Sequence, residues 1–92
     1  MTTTQIALSS LALDLKRVAL VYHRGSTTMA DRFLEEALNR KKEIDTSSIK
    51  PYLQKILLKI EDISFENENL RKAEDALLYS IIFQNAAVAN KL

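Results

Sequence analysis

The sequence predicts an all-α protein: an antiparallel bundle of three or four helices, in one domain spanning residues 1–92. Three observations lead there. The chain contains one glycine and one proline, whereas a sheet protein of this size needs many tight turns and the residues that make them. Ala, Leu, Lys, Glu, Gln and Arg, the good helix formers, are abundant. Apolar residues also recur at three- and four-residue spacing, the helical period.

The first helix is expected over about 4–23. Leu8, Leu11, Leu15, Val18 and Tyr22 share one face. Gly25 suits the left-handed position after a helix end, so "YHRGSTTMAD" reads as a corner. Ser26, Thr27 or Thr28 can cap the second helix, and Thr28 with Asp31 resembles a capping box. That helix is expected over about 28–43, with Ala30, Phe33, Leu34, Ala37 and Ile44 as its stripe. Its acids come early (Asp31, Glu35, Glu36) and its bases late (Arg40, Lys41, Lys42), which suits the macrodipole.

"DTSS" interrupts next. Ser47 or Ser48 is the expected cap of a third helix over about 48–62, with Pro51 in its first turn, where a missing N–H costs nothing. Ile49, Leu53, Ile56, Leu57, Ile60 and Ile63 form the cleanest stripe. The fourth helix is expected over about 65–90, capped by Ser64, with Leu70, Leu77, Leu78, Ile81, Val88 and Leu92 on its face. The third and fourth helices can also be read as one rod, because the apolar phase runs through Ser64 unchanged. Such a rod of about 42 residues would be roughly 63 Å long.

Composition bounds the function. Apolar residues make up 47% of the chain and charged residues 27%, and no apolar run approaches the about 20 residues of a membrane span. The N-terminal stretch lacks a positive n-region and is interrupted by Asp14, Lys16 and Arg17, so it reads as mature protein. The chain has no cysteine, which removes disulfides and thiolate chemistry; a cytoplasmic location is the simplest expectation. Thirteen basic residues against twelve acidic give a net charge of +1, not the clear basic excess of a duplex binder.

Motifs for chemistry are sparse. His23 is the only imidazole, so a multi-histidine zinc set cannot form. A phosphotransfer histidine would lie inside a helix with a glycine four residues on, but Gly25 follows His23 by two. No Glu-x-x-His pair exists to build a di-iron site. No cofactor, metal or catalytic residue is therefore expected. The candidate polar contact surface is His23, Arg24, Arg40, Lys41 and Lys42. In an up-down-up-down bundle, His23, Arg24 and Arg32 at the first corner would face Glu61, Asp62, Glu66 and Glu68 at the third.

The more informative feature is surplus apolar surface. Ile6, Leu13 and Leu20, spaced by seven, form a second stripe opposite the first helix's main face. Ala76, Tyr79, Phe83 and Ala86 lie opposite the leucines of the fourth helix. A surface helix in a small bundle needs only one such stripe. The expectation is a homodimer whose interface includes Ile6, Leu13, Leu20, Ala76, Tyr79 and Phe83. The corresponding function is a non-catalytic protein–protein interaction or regulatory module. The alternative is a nucleic-acid-associated protein using its basic helix ends.

Overall fold

The computed structural model describes Met1–Leu92 and is all-helical. Four helices follow in order: α1 (Thr3–Arg24), α2 (Thr27–Lys41), α3 (Pro51–Asp62) and α4 (Asn69–Val88), with 3-10 turns at Thr46–Ser48 and Ile63–Phe65. No helix is long and apolar enough to cross a membrane.

Local chemistry sets each boundary. A capping box opens α1. Gln5 donates its N–H to Thr2 Oγ1 at 3.1 Å, and Thr2 returns its N–H to Gln5 Oε1 at 2.8 Å. Gly25 closes the helix at φ 90°, with its N–H on the Tyr22 carbonyl. The expected Thr28–Asp31 box does not form. Ser26 occupies the N-cap position of α2, and the Asp31 carboxylate instead accepts a hydrogen bond from the Tyr22 hydroxyl.

Ser47 and Ser48 do not cap α3 either. Asp45 Oδ1 takes the Ser47 N–H and hydroxyl, at 3.0 and 2.7 Å, and Ser48 Oγ donates to the Asp45 carbonyl at 2.7 Å. These bonds fold the segment into a 3-10 turn, and α3 starts only at Pro51. At the far end of α3, Ser64 Oγ donates back to the Glu61 carbonyl at 2.7 Å rather than forward to α4. The chain then turns extended at Glu66, whose carboxylate accepts the Asn67 N–H at 3.1 Å. Helices three and four are thus separate, and α4 begins at Asn69 rather than near Phe65.

α1 and α4 form the antiparallel centre of the bundle. Gln5 Nε2 donates to the Ala87 carbonyl at 2.9 Å at one end, and Asn69 Nδ2 to Thr27 Oγ1 at 2.7 Å at the other. α2 runs back along the C-terminal half of α1: Tyr22 pairs with Asp31, Arg17 stacks on Phe33 and Asp14 pairs with Arg40. The opposite end of α1 is met by Ser48, whose Oγ lies 3.1 Å from Thr4 Oγ1. From there α3 climbs until Glu61 reaches Lys41.

The core holds Leu8, Leu11, Leu15, Val18 and Tyr22 of α1 and Leu53, Leu57, Ile60 and Ile63 of the α3 region, as their spacing predicts; Ile56 is only half-buried. The face assigned to the fourth helix is reversed. Its buried row is Ala73, Ala76, Ser80, Phe83 and Ala87, whereas Leu70, Leu77, Leu78, Ile81 and Val88 are exposed. The physical reason is close packing. Axis separation depends on the side chains at the contact, and the small residues of α4, facing Ala12 and Ala19 of α1, let the two backbones approach. Phe83 is the one large side chain of this row and is fully buried.

Candidate functional site: an apolar α1–α4 face

The seven-residue spacing of Leu13 and Leu20 keeps them on one row of α1, pointing away from Leu11, Leu15 and Val18. On α4, Leu70, Leu77 and Ile81 are similarly displaced from the buried alanines. The antiparallel pairing of the two helices sets these rows side by side. They flank two adjoining clefts that share Lys16 and Leu77. The buried Ala12, Ala19, Ala73 and Ser80 floor this trough. Its large side chains are well exposed: Leu13 64%, Leu20 56%, Leu70 60%, Leu77 45% and Ile81 48%. Ile6, also exposed, continues the α1 row by one heptad.

The charges in the trough are few and segregated. Lys16 and His23 come from α1 and Glu74 from α4. The three ion pairs of the molecule are Arg40–Asp14, Lys41–Glu61 and Lys72–Asp31, so Lys16 and Glu74 are both unpaired.

Of the residues expected at an oligomer interface, Ile6, Leu13 and Leu20 lie on the outside. Ala76 and Phe83 do not: both are fully buried in the core, because the row of small residues faces inward. Tyr79 is half-buried and packs on the core. Burial, with Asp75 and Asp62 nearby, raises its hydroxyl above the ordinary tyrosine pKa. The residues that replace them on the outer face are Leu70, Leu77 and Ile81. The signal was present in the sequence as the 3-4-3-4 spacing of Ala73, Ala76, Ser80, Phe83 and Ala87, a helix–helix seam made of small side chains.

The polar contact candidates are scattered. His23 and Arg24 are exposed at the end of α1, with His23 at one end of the trough. Arg40 pairs with Asp14, which holds its guanidinium above the usual arginine pKa. Lys41 donates to Glu61 Oε1 at 2.9 Å and lowers that carboxyl below its usual range. Lys42 is exposed beside Ile44 and Thr46. The expected corner-to-corner attraction is therefore redirected: Glu61 turns to Lys41 of α2 rather than to His23.

A second polar cluster is structural in character. The Tyr22 hydroxyl donates to Asp31, and Lys72 Nζ sits 5.0 Å from the Tyr22 ring centroid and 4.0 Å from Asp31. Burial first, and then the bond to Asp31, raise the Tyr22 pKa. The cluster ties the ends of α1, α2 and α4 together.

Compared with family models, curated proteins and solved structures, the chain matches none.

Proposed function

We propose that this chain is a non-catalytic helical interaction module that works as a homodimer joined through its α1–α4 face. The observation that carries the reading is the trough: five large apolar side chains on two adjacent helices, all about half exposed or more. Scattered exposed leucines are ordinary, but a contiguous apolar patch marks an interaction site. Its size suits a second copy. The whole molecule measures 35 × 20 × 19 Å, so one flank of it offers at most roughly 700 Å2 in projection, of the same order as the about 800 Å2 per partner of a standard interface. Most soluble oligomers are symmetric homomers that use one patch twice.

Size-exclusion chromatography with light scattering at micromolar concentration tests the reading. A mass of about twice 10.5 kDa is expected, and a monomer overturns it. Leu13→Glu should weaken the dimer more than Asp14→Ala, since Leu13 lines the trough while Asp14 faces Arg40. The nucleic-acid alternative draws less support, because Arg40 and Lys41 already hold carboxylate partners. A salt-sensitive mobility shift of duplex DNA or RNA would favour it.

A further inference from the structure

Two symmetric ways exist to bring the α1–α4 face onto its own copy. A two-fold axis running across the helices sets α1 against the partner's α1. A two-fold axis running along the helices sets α1 of each copy against α4 of the other. Resting on the homodimer reading above, we infer the second: α1 packs on the partner's α4, and Lys16 of one copy meets Glu74 of the partner subunit.

Heights along the bundle follow from the contacts of α4 with α1 and with the start of α2. Gln5 lies level with Ala87, Tyr22 with Lys72 and Thr27 with Asn69. Interpolation sets Lys16 level with Leu77, and both residues line both clefts. Glu74 is one helical turn from Leu77, about 4.5 Å along the axis. Lys16 also lies midway between Leu13 and Leu20, the two α1 leucines that line the trough.

Charge now separates the two arrangements. With the axis across the helices, Lys16 at the centre approaches its own symmetry mate, and Glu74 faces apolar side chains. With the axis along the helices, heights are preserved. Lys16 then lies opposite Leu77 of the partner subunit, within side-chain reach of Glu74 of the partner subunit. Leu13 similarly lies opposite Ile81 of the partner subunit. Both unpaired charges of the trough gain a partner, twice per dimer. Complementary placement of this kind selects orientation even where it adds little affinity.

Mixed single-cysteine variants test the packing directly, because the chain has no native cysteine and a disulfide between two different variants must join two chains. Under mild oxidation, Leu13→Cys mixed with Ile81→Cys should cross-link faster than Leu13→Cys mixed with Leu20→Cys. The reverse order overturns the packing while leaving the homodimer intact. A wild-type chain that is monomeric by light scattering overturns both. Charge reversal gives a second readout. Lys16→Glu or Glu74→Lys alone should raise the dimer dissociation constant roughly tenfold, and the double reversal should return it to within about threefold of wild type. A double variant as weak as the sum of the singles overturns the pairing.

Discussion

Replacing Phe83 by alanine separates the two possible faces of α4, because Phe83 is the large side chain on its inner row. The ring is fully buried in the core. A buried aromatic side chain removes about 150–250 Å2 from water, which at about 25 cal/mol per Å2 corresponds to roughly 4–6 kcal/mol. Alanine retains part of that, and the neighbouring Ala76 and Ala87 have no long side chains to collapse into the space. Phe83→Ala should therefore cost about 3–5 kcal/mol. A chain of 92 residues holds about 5–14 kcal/mol in total, so roughly a fifth or more of the stability is at stake. Urea denaturation followed by circular dichroism, at two protein concentrations, measures it. The midpoint should fall sharply, while its dependence on protein concentration matches that of wild type. A cost below about 1 kcal/mol, or a loss confined to the concentration-dependent part, would place Phe83 outside the core and refute the packing of α4 described above.

Three further outcomes are expected. Gly25→Ala should cost about 1–2 kcal/mol by thermal or urea unfolding, all of it from the backbone at φ 90°, because an added Cβ meets nothing within 4 Å. The Tyr22 pKa is raised by burial and its bond to Asp31. Its contribution to stability is therefore full below the ordinary tyrosine pKa of about 10 and falls above it by at most about 1.4 kcal/mol per pH unit; urea midpoints of Tyr22→Phe should fall less steeply in that alkaline range than those of wild type. The Glu61 carboxyl is lowered by Lys41, so its contribution is present above the unfolded carboxyl pKa and lost as pH falls through the folded value; Glu61→Gln should flatten that acid limb, and an unchanged acid profile would show the pair to be without effect on stability.

How far the fold could be read from residues alone differed between the helices, for a physical reason. In α1 the denser apolar row, Leu8, Leu11, Leu15, Val18 and Tyr22, is the buried one, and the sparser row of Ile6, Leu13 and Leu20 is left outside. In α4 apolar residues surround the helix, so side-chain size was the only guide, and it pointed to the wrong side. Leucine-rich rows are usual at cores, but here α1 and α4 approach through Ala73, Ala76 and Ser80, and the leucines are left outside. Side-chain size thus points Leu70, Leu77 and Ile81 inward, whereas the structure leaves them exposed, as it does Leu13 and Leu20. The α3–α4 break was legible only in part. The polar run "ENEN" marks it, but Ser64 could serve either helix, and it serves α3. The partners of Arg40 and Lys41 were not legible at all. They depend on α2 ending against the middle of α1 and on α3 climbing to meet it, placements that no local spacing encodes.

The claim that the α1–α4 face is covered by a second copy is tested most directly by methyl NMR of the wild-type chain across a dilution series. The methyl resonances of Leu13, Leu20, Leu70, Leu77 and Ile81 should shift together with concentration and fit one monomer–dimer equilibrium. The core methyls of Leu8, Leu53 and Leu57 should stay nearly still. Concentration-independent spectra from a monomer, or shifts centred on the exposed Leu58 of α3, would contradict the account.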